Sequence, residues 1–207
     1  MKELIIIGAG GHVRSVLSTA KLMDLWGNFK IFDINFTNKE ERILGFKVYP
    51  FENLSDFHKN KSDYFIAIGD NSKRKSISKN LKTFGCNFVN VIHPNSFIDN
   101  HSTMGIGNFV GQFSNIGASS KLGDFNIINS YGNIEHEVII GNFNQLAPSS
   151  TICGRSQLRD ENFIGANAVI IENLSLANNT IIGAGAVVIK SINESNQKLG
   201  GVPAKVL

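Results

Sequence analysis

A step of six residues constrains this chain more than any other feature. From Ile98 to Val188 every sixth position is aliphatic or methionine: Ile98, Met104, Val110, Ile116, Leu122, Ile128, Ile134, Ile140, Leu146, Ile152, Leu158, Ile164, Ile170, Leu176, Ile182 and Val188. Apolar residues make up 42% of the chain, so an unbroken run of this length is not a product of composition. The next position is glycine at Gly105, Gly111, Gly117, Gly123, Gly141, Gly165 and Gly183. The position two before is mostly Ser, Asn, Thr, Ala or Gly. Side chains return to one face about every 3.6 residues in a helix and every 2 in a strand, so neither a single helix nor a hairpin has this period. Short strands separated by corners do, which is the hexapeptide repeat of a parallel β-helix. The aliphatic residue points inward, the small residue after it makes the turn possible, and the small polar residue packs below the neighbouring coil. A single coil buries little, so the stack is the stable unit.

The first 93 residues follow another pattern. Leu4–Ile7 is a short apolar run with the character of a buried parallel strand. It ends in Gly8-Ala9-Gly10-Gly11-His12, and a helical pattern follows through Val13, Val16, Leu17 and Ala20. Strand, glycine-rich turn and helix together aim backbone N–H groups at a phosphate. A second strand, Phe29–Phe32, ends at Asp33. Counted from Gly8, that is near the place of a ribose-binding acid in Rossmann-like units. The full dinucleotide fingerprint wants a third glycine where Val13 stands, so a nucleoside diphosphate fits better than NAD. A tight turn with no ligand is the alternative. Tyr64–Ile68 forms a third strand closed by Gly69-Asp70-Asn71. Ser72–Leu81 is a helix whose Lys73, Arg74, Lys75 and Lys79 face mainly outward. Phe88–Ile92 is a fourth strand. Pro94 cannot donate to a ladder and marks the boundary, so residues 1–93 form a small Rossmann-like domain, the candidate nucleotide-sugar-binding unit, and residues 94–207 the repeat domain.

A net charge of +3, without clustered Lys/Arg and aromatics, argues against nucleic acid. No apolar run approaches the length of a membrane span, and no secretory signal precedes the first strand. A cytoplasmic protein with two free thiols, Cys86 and Cys153, is expected.

The hexads resemble those of the left-handed β-helix acyltransferases, as does the tail Gly200-Gly201-Val202-Pro203-Ala204-Lys205. The Gly-Ala-Gly-Gly-His turn, the strand Phe65-Ile66-Ala67-Ile68-Gly69-Asp70-Asn71 and Ile134-Glu135-His136-Glu137 sharpen the likeness. In that order they resemble the PglD/NeuD-like sugar O/N-acetyltransferases. The resemblance implies an α/β half-Rossmann domain followed by a left-handed parallel β-helix with three hexads per turn. It also implies an acetyl-CoA-dependent N-acetyltransferase, without a metal, acting on a nucleotide-linked 4-amino-4,6-dideoxy sugar in bacterial surface glycan biosynthesis. Uridine is the first expectation for the base, with thymidine and guanosine as alternatives. A homotrimer is implied, with the coenzyme groove between neighbouring β-helices and His136 facing a nucleotide domain from another chain.

The resemblance assigns residues as well. His136, two positions after the inward Ile134, is turned out of the core and becomes the general base; Glu137 beside it can hold the imidazole. Gly154 lies three hexads on, one coil later at three hexads per turn, and its amide matches one that contacts the acetyl carbonyl. Asn129 matches an active-site asparagine, though a turn-forming asparagine explains it equally. Gly8, Gly10, Gly11, His12, Asp33, Gly69 and Asp70 are the candidate substrate-binding residues. Ala166 and Ala184 match positions lining the coenzyme A groove, and hexad packing explains them as well. Gln145 stands where PglD-type enzymes carry a second histidine. Three further readings compete: O-acetylation of a sialic or related acid, a non-catalytic nucleotide-binding scaffold, and a zinc site like that of γ-type carbonic anhydrases. The last lacks histidines, because the repeats hold only His101 and His136 and zinc needs at least three protein ligands.

Overall fold

The computed structural model describes residues 2–37, 40–57 and 62–207. The chain divides into two compact units, Met1–Pro94 and Asn95–Leu207.

The first unit is a twisted sheet built on β1 (Lys2–Ile7), whose Leu4–Ile7 are fully buried. Helix α1 (His12–Met23) returns the chain to β2 (Trp26–Asp33), which runs parallel to β1. Next come β3 (Arg42–Ile43) and β4 (Phe46–Pro50), an antiparallel hairpin turned by Leu44 and Gly45, both at positive φ. After the short α2 (Leu54–Phe57), β5 (Asp63–Ile66) pairs with the other edge of β1. Helix α3 (Asn71–Thr83) and β6 (Asn87–Phe88) complete the unit, in the strand order β3-β4-β2-β1-β5-β6. The hairpin was not expected from the sequence, because its turn uses leucine where glycine or asparagine is the usual signal. Its β4 adds a parallel strand to β2. The chain leaves β1 toward β2 on one side and reaches β5 on the other. That switch point opens a crevice at the strands' carboxyl ends.

In the second unit all sixteen hexads form. Each gives a two-residue strand, from Phe97–Ile98 to Val187–Val188, and successive strands on one side pair in parallel three hexads apart, as Ile116 does with Ile134 and Ile134 with Ile152. Three hexads therefore make one turn of a left-handed β-helix with three flat sides, against the usual right-handed crossover. Nearly all the inward aliphatics are buried, each contributing roughly 1.5–3 kcal/mol of hydrophobic stabilisation. Buried polar residues are paired. Asn108, Asn126, Asn144, Asn162 and Thr180 form a ladder in which each side-chain carbonyl accepts the backbone N–H one coil on, at 2.7–2.8 Å. Strand Lys198–Gly200 adds to the last full turn and is itself covered by the antiparallel Lys205–Val206.

The corners correct one expectation. The glycine after each aliphatic residue does not make the turn; the positive φ falls two positions later. Every sixth residue from Gly107 to Gly185 is left-handed, and between those ends each is a non-glycine residue, including Tyr131, Glu137 and Arg155. The backbone N–H of most of these residues donates to a carbonyl of the preceding coil, as Glu137 does to Ala118 (2.8 Å) and Arg155 to His136 (3.0 Å). These bonds offset a conformation that non-glycine residues avoid. The glycines serve close approach between coils. A Cβ on Gly117 would lie 2.8 Å from the Glu135 carbonyl carbon, and one on Gly111 would lie 2.6 Å from the Ser130 nitrogen.

Candidate active site

The corner at His136 is assembled by stacking. His136 and Gly154 hold the same position in successive coils, as do Glu137 and Arg155, because the strands leading to them are in register. The His136 ring lies over Gly154. A Cβ built on that glycine would stand 2.5 Å from Cε1 and 2.6 Å from Nε2. On its other side the ring meets Glu137, with Nδ1 3.1 Å from Oε2. A carboxylate there selects the tautomer with its proton on Nδ1 and leaves the Nε2 lone pair free above Gly154. The same Oε2 accepts Arg155 Nε at 3.0 Å. The His136 hydrogen bond, then the Arg155 charge, hold the Glu137 carboxyl below the ordinary carboxylate range. Among the described residues, no acceptor in the chain meets the Gly154 N–H. At another corner of the coil, by contrast, Asp124, Asn142, Asp160 and Asn178 side chains take the corresponding N–H groups. Cys153, next to Gly154, has its thiol pushed up by burial and by the charges of Glu172 and Glu135. It is therefore a protonated packing group rather than a nucleophile.

The other β-helix candidates lie elsewhere in the coil. Asn129 belongs to the corner before His136, and its amide donates to the Leu146 carbonyl of the next coil at 3.1 Å. Ala166 and Ala184 stack at that same corner, with Ala166 O receiving Gly185 N. Gln145 sits on a flat side between Ile127 and Phe163, half a coil from His136. One chain therefore brings His136, Glu137 and Gly154 together and leaves Asn129, Gln145, Ala166 and Ala184 on other sides. Arg155 went unnoticed in the sequence, although the three-hexad return that places Gly154 beside His136 places Arg155 beside Glu137.

The first unit carries a cavity of about 550 Å³ at the strand ends, lined by Gly8 to His12, Asp33 to Asn35, Ala67 to Gly69, Lys73, Ser76 and Ile77. Gly8 is required by the backbone: its φ is +111°, and a Cβ would lie 2.7 Å from Ile68 Cγ1. Gly10 and Gly11 are not; nothing lies within 4 Å of a Cβ on either. Their lack of side chains keeps space open at the N-terminus of α1, where no side chain caps the helix. That end attracts anions. Burial, then the charge of Arg74, pushes His12 down to about 4, so it faces the cavity as a neutral imidazole. Asp70 does not line the cavity. It caps α3, accepting from Lys73 N (2.8 Å) and Ser72 Oγ (2.7 Å). Arg74, expected to face outward, is buried, and its guanidinium donates to Ile68 O, Gly69 O and Asn71 Oδ1. It thereby braces the loop that forms one wall. Among the described residues no three His, Cys, Asp or Glu side chains gather as a metal site, and no helix is long and apolar enough to cross a membrane.

A half-Rossmann unit with an open glycine loop is joined in one chain to a left-handed β-helix with an outward histidine at a corner, an architecture that matches those of known acetyltransferases. Within it, residues 3–81 match the PglD N-terminal domain, and the resemblance to the PglD/NeuD-like family holds over the whole chain. A histidine-to-alanine variant of GDP-perosamine N-acetyltransferase from Caulobacter crescentus, in complex with CoA and GDP-perosamine, is 28% identical. The match covers 100% of this chain and 97% of that one, with a TM-score of 0.93. The acetyltransferase domain of PglB from Neisseria gonorrhoeae is 26% identical with full coverage of both chains and a TM-score of 0.94. WeeI from Acinetobacter baumannii, 24% identical with full coverage of both chains, shares the fold at a TM-score of 0.91. No curated protein sequence matches the chain.

Proposed function

We propose that the protein is an acetyl-CoA-dependent N-acetyltransferase acting on the amino group of a nucleotide-linked 4-amino sugar in bacterial surface glycan synthesis in the cytoplasm. The observation that carries this reading is the free Nε2 of His136 over the bare backbone of Gly154, with Nδ1 held by Glu137. The whole-length likeness to the GDP-perosamine enzyme, solved with CoA and its sugar nucleotide, supports the substrate class. The open glycine loop in the first unit suits a diphosphate, Lys73 supplies a cation at its wall, and Asp33 offers an acceptor to the nucleoside.

The chemistry follows from these groups. The sugar amine attacks the thioester carbonyl as the free base, and His136 Nε2 takes its proton as the C–N bond forms. The tetrahedral oxyanion is stabilised by the Gly154 N–H, which has no competing acceptor among the described residues. Collapse breaks the C–S bond. The imidazolium returns the proton to the leaving thiolate, giving free CoA and the acetamido sugar. Glu137 keeps the ring in the productive tautomer throughout. Gln145, Ala166 and Ala184 occupy other sides of the coil than His136. A coenzyme groove using all of them would draw on a neighbouring copy, and the family resemblance makes that assembly a homotrimer.

Thiol release from acetyl-CoA tests the reading against UDP-, dTDP- and GDP-linked 4-amino sugars and against free and CMP-linked sialic acid. Turnover with at least one amino sugar is expected, falling about 10²–10⁴-fold in His136→Ala. Turnover with sialic acid alone, or an undiminished His136→Ala variant, refutes it. Sedimentation velocity tests the trimer.

A further inference from the structure

The corner contains charged residues that the proposed chemistry leaves unused, and one of them, Arg155, is tied directly to the His136–Glu137 pair. Arg155 sits at a left-handed position (φ 61°), where glycine would be the least strained choice. Its partner is specific. Of the Glu137 carboxylate, Arg155 Nε engages Oε2, the oxygen that also faces His136 Nδ1. Both backbones are pinned by inter-coil hydrogen bonds, Arg155 N to His136 O and Glu137 N to Ala118 O. The two side chains therefore leave equivalent corners one rung apart, about 4.8 Å in a parallel stack, and meet without adjustment.

Glu137 needs such a partner. It is half-exposed (49% of its side chain), and a solvated carboxylate on a flexible stem turns freely among rotamers. Several of those rotamers abandon Nδ1. The imidazole is itself half-exposed, and among the described residues Glu137 is the one side chain that meets its Nδ1. We infer that Arg155 is a positioning residue: by holding Glu137 Oε2 from the next coil, it keeps the carboxylate on His136 Nδ1 and the Nε2 lone pair over Gly154. Arg155 itself touches neither acetyl group nor amine, and its action passes through two hydrogen bonds. This inference rests on the acetyl-transfer reading for its kinetic consequence, and on the geometry alone for its effect on the ring.

The experiment therefore has two arms. In the kinetic arm, Arg155→Met and Arg155→Gly each lower kcat roughly two- to five-fold, the scale of a half-exposed ion pair, with KM for both substrates within about two-fold. Arg155→Lys retains most of kcat, since a single N–H···O contact needs only one donor. Arg155→Gly relieves the left-handed strain and so melts no lower than the parent, which separates loss of positioning from loss of fold. In a Glu137→Gln background, Arg155→Met has no further effect, because the two residues act as one unit. In the second arm, long-range ¹H–¹⁵N correlation spectra of the His136 ring show the Nδ1–H tautomer in the parent and a mixture of tautomers in Arg155→Met. Undiminished kcat in Arg155→Met, the same effect with and without Glu137, or an unchanged tautomer overturns the inference. If the parent turns over no acceptor, the acetyl-transfer reading fails and the spectra alone decide the role of Arg155.

Discussion

Gly154→Ala separates the architecture of the β-helix from its chemistry more cleanly than any other single change. The added Cβ would stand 2.5 Å from His136 Cε1 and 2.6 Å from Nε2, against an optimal carbon contact of about 3.5–4.0 Å. Something must move by about 1 Å to restore that contact. The backbone does not have to, because each of the three nearest atoms to that Cβ belongs to the imidazole. The ring is 53% exposed and can swing into solvent. The fold therefore escapes the clash at little cost. Gly154 is not at positive φ, so alanine also narrows the unfolded ensemble by about 0.4–1 kcal/mol. Activity does not escape. A displacement of about 1 Å in a catalytic group costs roughly 10²-fold, or about 2.7 kcal/mol of barrier. The Glu137 bond that sets the tautomer is strained at the same time. The expected result, by thiol release and calorimetry on the same preparation, is a kcat down by about two orders of magnitude with an unchanged or slightly raised Tm. A Gly154→Ala enzyme with parental kcat would refute the placement of the ring over this backbone. A variant that loses activity by melting would refute the claim that the ring alone absorbs the clash.

Gly165→Ala should do the reverse. Its Cβ would meet Ala184 N at 2.5 Å and Gly183 C at 2.6 Å, backbone that cannot swing aside, so Tm falls with a loss of about 1–3 kcal/mol. His12 makes the first unit sensitive to mild acid. Its native value of about 4 lies below the ordinary 6.5, so the native state resists a proton that the unfolded chain accepts. Stability is then full above pH 6.5 and declines as pH falls toward 4; a His12→Asn variant should show a flatter denaturant-midpoint profile across that window. Asp63 is buried and accepts from Trp26 Nε1 (2.8 Å), Asn87 Nδ2 (2.7 Å) and Lys2 Nζ (3.1 Å). Burial works to raise its carboxyl, but these donors overcome it and hold the value below the ordinary range. Its contribution is present above about pH 4 and lost as pH falls through the lowered value. Asp63→Ala should cost roughly 1–3 kcal/mol by stranding the buried Trp26 Nε1–H, with the emission of Trp26, the chain's one tryptophan, shifting to the red at lower denaturant.

The period of six was enough to read the β-helix, because an inward position recurring every hexad follows from strand, corner and stack whatever the distant contacts. The same period located His136 outside the core and Gly154 one coil on, since registered coils turn sequence distance into spatial neighbourhood. The glycine loop and the Asp33 strand end were legible for a similar reason: strand, turn and helix are local. Other features depended on contacts that no local pattern encodes. The left-handed corners fall on phenylalanines, serines and glutamates, because inter-coil hydrogen bonds hold them there against their own preference. By sequence Arg74 is one more solvated cation in a charged helix, yet its guanidinium donates to the loop carbonyls of Ile68 and Gly69. Arg155 gained a role only when folding set its Nε against a carboxylate from the preceding coil. Sequence periodicity settles which residues share a side; which atom of which side chain meets which partner is decided by packing and hydrogen-bond geometry, and these exist only once the coils are stacked.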